Sequence, residues 1–239
     1  MNSYFKKSKS NTYGLFFVLP LLIIYELCIF ASSYSSLYET RNGAEIFVKN
    51  ILQFIFESSG QTAYSILLAL TLIFLIFFNR KSLKREPIKG SYFFLMFIES
   101  FVMSIALLLI MAFSKVILLS IIRSDIFFEE IYLSIGAGIW EEIIFRLFLL
   151  SSILLFTTKI LNFNRLISIV FSIGLSSIAF SYFHHLGSYG EIFNFDIFTV
   201  RSIAGIFLGA IYLIRGIGIS VYTHTLYDIM VVLVAFDNA

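Results

Sequence analysis

The stretch WEEIIFRLFLL, residues 140–150, places two adjacent glutamates and an arginine within an apolar segment. Glu142 and Arg146 are four residues apart, so in a helix they lie about 40° apart around the axis and can pair. Glu141 is turned about 100° from Glu142, and the same pair cannot easily neutralise it. A free glutamate beside a paired one could be a general base, provided a histidine or water meets it. The pair could equally be structural and lower the cost of burying both charges.

All three histidines of the chain lie in its last third, within or at the edge of apolar runs. Phe180 and His184 are four residues apart near the end of one run, and His224 and Asp228 have the same spacing in another. A single histidine on an apolar helix is usually a hydrogen-bonded core residue. Histidines on two helices and a spare glutamate on a third can all avoid lipid only in the core of the bundle. We therefore predict that Glu141, His184 and His224 share one polar site.

A glutamate, two histidines and an aspartate in a dry bundle fit three kinds of chemistry. In hydrolysis, a Glu and a His would polarise water while a second His and its partner stabilise an oxyanion. In a zinc site, Glu141, His184 and His224 would be ligands, although the chain has no HExxH motif. In proton- or ion-coupled transport, chains of Glu and His residues are also found.

Other ionisable residues also fall within or at the ends of apolar runs. Glu26 and Glu99 are single carboxylates that we interpret as structural, with a polar cavity as the alternative. Lys115 is expected to reach toward the headgroup region or to pair with an acid. His185 is turned about 100° from His184, which favours a position at the membrane interface.

The composition indicates a membrane protein. Of 239 residues, 59% are hydrophobic and 13% are charged, whereas a soluble domain is about 25% charged. The net charge of +2 is too small to suggest a nucleic-acid partner. One cysteine, Cys28, excludes an internal disulfide and a cysteine-based metal cluster. Because we find no repeat, low-complexity tract or linker, residues 1–239 are predicted to form a single integral membrane domain.

Seven apolar runs are long enough to cross a bilayer, which takes about 20 residues. They predict an all-α transmembrane bundle with spans at roughly 13–32, 61–78, 93–122, 131–157, 165–184, 198–214 and 217–235. The third and fourth runs are long, so they are candidates for tilting or breaking, and a broken third run would change the topology. Residues 42–60 have apolar residues at helical spacing between charges, which fits an interfacial helix or a plain connecting helix.

Basic residues are concentrated around 6–9, 80–89, 159–165 and 215, and the intervening loops are mainly acidic. By the positive-inside rule, the N-terminus is cytoplasmic. The first run has some features of a secretory signal, but Pro20 and Glu26 interrupt it, and we interpret it as a retained span.

Three motifs occur in order on separate apolar runs: Glu-Glu-x-x-x-Arg at 141–146, Phe-x-x-x-His at 180–184 and His-x-x-x-Asp at 224–228. Together they resemble the CPBP family, the CAAX proteases and bacteriocin-processing enzymes also called the Abi family. These are intramembrane endopeptidases, and they include Rce-type prenyl-protein proteases. The resemblance covers about residues 131–235, whereas the first 125 or so residues carry no family motif.

The resemblance implies that Glu141 activates water and that His184 assists it. It also implies a glutamate-type, metal-independent enzyme without a cofactor. The zinc set of Glu141, His184 and His224 remains the alternative.

The resemblance further implies that Glu142 and Arg146 organise the site and that His224 and Asp228 form the oxyanion side. Family members carry Asn or Asp at the position of Asp228. An ionised Asp only accepts hydrogen bonds and would repel an oxyanion. Either burial keeps Asp228 protonated, or it accepts a hydrogen bond from His224 and fixes the tautomer of that ring.

Membrane lipid and a membrane-associated peptide or protein are the expected partners. In a bacterial cytoplasmic membrane, where we place the chain, exported peptides, bacteriocin-like precursors or anchored sorting segments would be substrates rather than prenylated proteins. Since the family includes self-immunity proteins, a non-catalytic immunity or partner protein is one alternative. An ion-coupled transporter is another, but prolines occur only at positions 20 and 87 and the polar set is confined to the C-terminal half.

Overall fold

A computed structural model describes residues 2–35, 41–56, 88–112, 127–186 and 190–237, and all secondary-structure elements in these ranges are helices. The all-α prediction is therefore confirmed. The helices are α1 (Asn2–Ser8), α2 (Asn11–Ser35), α3 (Gly43–Phe56), α4 (Gly90–Ala112), α5 (Phe127–Glu142), a π-helical segment (Ile143–Leu150), α6 (Ser151–Lys159), α7 (Arg165–Phe183), α8 (Phe195–Arg215) and α9 (Ile217–Asp237).

Within the described ranges, five helices are long and apolar enough to cross a membrane. They lie in α2, α4, α7, α8 and α9 and correspond to the first, third, fifth, sixth and seventh predicted spans. The fourth predicted span coincides with α5, the π segment and α6, which are consecutive over residues 127–159. The second predicted span, 61–78, and Lys115 lie outside the described residues. The predicted count of about seven spans is therefore approximate.

Helix α9 occupies the centre of the bundle and packs against α2, α4, α5 and α8. Small residues allow its backbone to approach its neighbours closely, which is how helices gain packing energy in lipid. A Cβ atom added to Gly138 on α5 would lie 2.8 Å from the backbone nitrogen of Thr225 on α9. A Cβ on Gly218 would lie 2.8 Å from the Cα of Gly14 on α2. The first of these contacts holds α5 and α9 together beside Glu141.

Helix α7 packs against α8 and the π segment through a row of small side chains. Its buried residues are mainly serines, at positions 168, 172, 176, 177 and 181. A Cβ on Gly205 of α8 would lie 2.9 Å from the Cβ of Ser177, so the two helices are in close contact there. The same packing brings the C-terminal end of α7, where His184 lies, next to α5 and α9.

Glu99 ties three elements together at one end of the bundle, which fits its structural interpretation. Arg215 donates to both carboxylate oxygens of Glu99 and, at 2.8 Å, to the hydroxyl of Ser8. The Tyr4 hydroxyl donates to the same carboxylate at 2.7 Å. Burial and this hydrogen bond raise the pKa of Tyr4 to about 12, so its hydroxyl stays a donor even at alkaline pH. The cluster joins α1, α4 and the end of α8.

Helix α3 is fixed at its first turn by Glu45, which is completely buried. The Tyr25 hydroxyl donates to Glu45 at 2.6 Å, and Arg41 and Lys49 contact it at 2.6 and 2.9 Å. Arg41 also lies 3.6 Å from Glu26, giving that carboxylate a charged neighbour. The sequence pattern showed Glu45 only as a charge between apolar residues. The structure makes it the attachment point of α3 to α2.

Candidate active site

The adjacent glutamates lie at the point where α5 changes into the π segment. Glu141 is 5% exposed and Glu142 is fully buried. A π turn has more residues than an α turn and is often found at functional sites. Two hydroxyls bond to carbonyls within it: Ser151 donates to the Arg146 carbonyl at 3.2 Å and Ser176 to the Phe145 carbonyl at 2.6 Å. Neighbouring side chains thus stabilise the altered turn.

Glu142 is held by three groups. Its carboxylate lies 3.4 Å from the Arg146 guanidinium, as the spacing predicted. It also accepts a hydrogen bond of 2.5 Å from the Ser220 hydroxyl and contacts Nδ1 of His224 at 3.0 Å. Burying a carboxylate is costly unless it is paired and hydrogen-bonded. Glu142 meets that condition, so its charge is balanced and its position is fixed.

Arg146 is fully buried and also contacts α7 and α8. Its guanidinium lies over the Phe180 ring at 4.4 Å, a cation–π distance. One of its nitrogens is 3.5 Å from the Gly205 carbonyl oxygen. The Phe180 ring also has edge contacts with His184 and His224, at centroid distances of 5.1 and 5.8 Å. Phe180 therefore contacts the Arg146 guanidinium and both imidazoles.

Glu141 faces two histidines rather than Arg146. Its Oε2 atom lies 3.7 Å from Nε2 of His184 and 3.9 Å from Nε2 of His224. The structure thus brings together the three side chains that the sequence predicted to share a site. Both distances exceed hydrogen-bond length. Polar groups at this separation can both bind one water molecule between them.

The protonation pattern of His184 follows from its position at the end of α7. Its Nδ1 lies 2.9 Å from the carbonyl oxygen of Phe180. Because a carbonyl oxygen only accepts, Nδ1 carries the hydrogen of this bond. In the neutral ring, Nε2 is then the acceptor, and this is the atom nearest Glu141.

His224 is oriented by Glu142 through Nδ1, while its Nε2 lies 3.4 Å from the carboxylate of Asp228. Asp228 therefore contacts the ring nitrogen opposite the one that Glu142 holds. Asp228 and His184 are partly exposed, with side-chain exposures of 26% and 21%, whereas the side-chain exposure of Glu141 is 7%. The site opens on the side of Asp228 and His184.

Ser220 was not among the predicted site residues. It lies four residues before His224, on the same face of α9, and this spacing is the only signal in the sequence that could have found it. His185 lies outside the site, as expected from its direction. Its Nδ1 contacts the carbonyl oxygen of Glu191 at 3.2 Å, and its ring packs against Phe193.

Replacing Ser220 with alanine is expected to lower the free energy of unfolding by about 1.5–3 kcal/mol, because it removes a hydrogen bond to a buried charge. Ser168→Ala is the matched control. The Ser168 hydroxyl is also buried but has no hydrogen-bond partner among the described residues, so we expect a change within about 0.5 kcal/mol. Chemical unfolding in detergent measures both variants, and equal losses would contradict a special role for the Ser220 bond.

Glu141 lies farther from the two candidate histidine ligands than the donor atoms of a bound zinc ion lie from one another. Within the part of the chain that the structure describes, no group of three or more His, Cys, Asp or Glu side chains is arranged to hold a metal ion. Donor atoms at about 2.0–2.1 Å from a tetrahedral zinc lie about 3.4 Å apart. Glu141 is farther than that from both histidine nitrogens.

Comparison with known proteins supports the resemblance seen in the motifs. Residues 124–230 match the family model described as type II CAAX prenyl endopeptidase, Rce1-like. The matched region includes every residue predicted for the site: Glu141, Glu142, Arg146, His184, His224 and Asp228. No curated protein and no solved structure matches the chain.

Proposed function

We propose that the chain, whose residues 124–230 match the Rce1-like CAAX endopeptidase family, is an intramembrane endopeptidase in which Glu141 activates water. The observation that carries this proposal is the environment of Glu141. Its carboxylate faces the Nε2 atoms of two imidazoles, those of His184 and His224, while the neighbouring Glu142 pairs with Arg146. General-base catalysis needs a carboxylate that is free to take a proton. Glu141 is such a carboxylate, and Glu142 beside it is fixed by its partners.

In the first step, a water molecule would bind between Glu141 and Nε2 of His184. Glu141 takes one proton from this water, and the water oxygen forms a bond to the carbonyl carbon of the peptide. His184 accepts a hydrogen bond from the other hydrogen of the water. This bond directs the lone pair of the water oxygen toward the carbonyl carbon. The hydrogen bond from His184 to the Phe180 carbonyl keeps Nε2 free for this task.

His224 would stabilise the oxyanion that forms on the carbonyl oxygen. Its Nδ1 hydrogen points to Glu142, so it donates from Nε2 in its doubly protonated form, with Glu142 and Asp228 balancing the charge. We assign Asp228 to accept a hydrogen bond from Nε2 of His224 until the substrate oxygen takes the place of the Asp228 carboxylate. When the tetrahedral intermediate collapses, the C–N bond breaks and Glu141 returns its proton to the leaving amine.

The substrate class we propose is a peptide held at the membrane, since the helices packed around the site include ones long and apolar enough to cross it. A prenylated C-terminal peptide is the substrate type named for the family. Exported or membrane-anchored peptides are the candidates for a bacterial chain. Glu142, Arg146 and Ser220 would position the reacting groups without touching the substrate.

The test is a cleavage assay of the full chain in lipid nanodiscs, with a prenylated C-terminal peptide and unprenylated membrane-anchored peptides. His184→Ala is expected to reduce the rate about 10²–10⁴-fold, in the range typical of lost acid–base assistance. His185→Ala, which removes the adjacent imidazole outside the site, is expected to retain the rate. Equal losses in the two variants would contradict the assignment.

The same assay distinguishes the glutamate mechanism from zinc hydrolysis. We expect cleavage to persist after treatment with a chelator. Activity that is lost to the chelator and restored by zinc would overturn the glutamate mechanism and assign Glu141, His184 and His224 to a metal.

A further inference from the structure

A cavity away from the candidate active site lies where three span ends meet. It has a volume of about 420 Å³ and is bounded by the start of α2, by α6 and by the turn between α8 and α9. We call it the lysine pocket; its lining includes Lys9, Asn11, Leu154, Leu155, Lys159 and Tyr212. Each bounding element begins or ends a predicted span here, so the pocket lies at the level where lipid meets water.

The pocket has two positive charges and no acidic lining residue in the described chain. Lys159 has no hydrogen bond or ion pair with any described residue. Lys9 donates one hydrogen to the Leu213 carbonyl at 2.7 Å, which leaves its other two hydrogens available. The Asn11 side chain lines the same cavity. These donors would suit an anion with several acceptor oxygens.

The position of Lys9 is fixed by the fold. Gly216, in the turn between α8 and α9, has φ +87°, and a Cβ there would lie 2.8 Å from the Lys9 carbonyl oxygen. The turn can therefore lie directly against Lys9 only because residue 216 is glycine. Together with the bond to Leu213, this contact keeps the Lys9 ammonium at the pocket without a bound ligand. A binding site prepared in this way loses less entropy when a ligand binds.

The rest of the lining is apolar or carries hydroxyl groups. Leu154 and Leu155 form an apolar wall along α6. The Ser151 and Tyr212 hydroxyls lie 2.8 Å apart and are hydrogen-bonded to each other. Ammonium groups beside a wall of leucine match an amphiphile with an anionic head and a hydrocarbon chain. Basic pockets between transmembrane helices are known to bind anionic headgroups at the cytoplasmic side, which the positive-inside pattern predicts for this end.

We propose that the lysine pocket binds a phosphate-bearing anion, with Lys9 and Lys159 on the phosphate. An anionic phospholipid is the source that the leucine wall fits, because one chain can lie along Leu154 and Leu155. The other source of the same chemistry is free phosphate. This inference does not depend on the proposed peptidase activity.

The test uses the full chain in a neutral detergent and follows its thermal unfolding with added ligand. The ligands are dihexanoyl phosphatidylglycerol, dihexanoyl phosphatidylcholine and inorganic phosphate at equal ionic strength. We expect saturable stabilisation by phosphatidylglycerol and a much smaller effect of phosphatidylcholine. Lys159→Gln, at an exposed position, is expected to weaken apparent affinity about five-fold, and Lys159→Arg is expected to retain most of it. Lys89→Gln, a basic site before α4 outside the pocket, is the control and should bind like wild type.

Binding of phosphatidylglycerol that depends on Lys159 and exceeds that of inorganic phosphate would establish the lipid as the ligand. Equal binding of inorganic phosphate, also dependent on Lys159, would support the phosphate site and assign it to the free anion. Binding that is the same for phosphatidylglycerol and phosphatidylcholine, or unchanged by Lys159→Gln, would overturn the proposal.

Discussion

Replacing Glu141 with glutamine is expected to reduce the single-turnover rate of peptide cleavage about 10²–10⁴-fold. Glutamine has nearly the same shape but cannot take a proton from water. The free energy of unfolding should remain close to that of wild type, because Glu141 makes no short hydrogen bond to a described residue and the change removes a buried charge. A large loss of rate without a loss of stability would show that the Glu141 carboxylate acts in the reaction and not in folding.

Glu129→Gln is the control for this experiment. Glu129 lies in the first turn of the same helix, three turns from the site, and its replacement should leave the rate unchanged. Cleavage by Glu141→Gln at the wild-type rate would show that another residue activates the water. A rate loss accompanied by unfolding would instead give Glu141 a structural role.

Replacing Arg146 with methionine is expected to lower the free energy of unfolding by about 3–5 kcal/mol, the cost of leaving a buried charge without its partner. Methionine keeps much of the volume beside Phe180 but leaves Glu142 without the guanidinium of Arg146. Ser220 and His224 remain as neighbours of Glu142, and neither replaces a permanent charge. Denaturant unfolding in detergent measures the loss.

The double variant Glu142→Gln/Arg146→Met distinguishes loss of the charge pair from loss of packing. It removes both charges and is expected to recover most of the stability, because a neutral pair of similar size can replace a buried ion pair. Activity should stay low, since His224 no longer has an anionic partner at Nδ1. Arg165→Met, at an exposed arginine at the start of α7, is expected to change stability by less than about 0.5 kcal/mol. A double variant no more stable than Arg146→Met would contradict this account.

The two adjacent glutamates are distinguished by their surroundings, although they are chemically identical and follow each other on one helix. Glu142 is surrounded by donors and a cation, which keep it ionised and fixed. Glu141 faces histidine nitrogens beyond hydrogen-bond distance and remains available for a substrate water. Separate environments for neighbouring carboxylates are a general way to divide the positioning and proton-transfer roles of an active site.

Much of the fold and part of the site could be predicted from local patterns in the chain. Long apolar runs determine the membrane-crossing helices, because backbone polar groups in lipid must bond within their own segment. The pairing of Glu142 with Arg146 could also be predicted, since a four-residue spacing brings side chains together on any helix. Charged and histidine residues in apolar runs identified the candidate site because lipid-facing positions would be costly for them.

Tertiary structure alone decided which partners these residues meet. Ser220 and His224 reach Glu142 across 78 and 82 residues of sequence, and Arg215 reaches Glu99 across 116. Such contacts depend on the rotation and depth of each helix, and helices that are apolar on all sides carry little pattern to indicate either. The π segment, the burial of Glu45 and the meeting of Lys9 with Lys159 at one pocket have the same origin. Local spacing determines neighbours within a helix, whereas packing between helices determines neighbours across them.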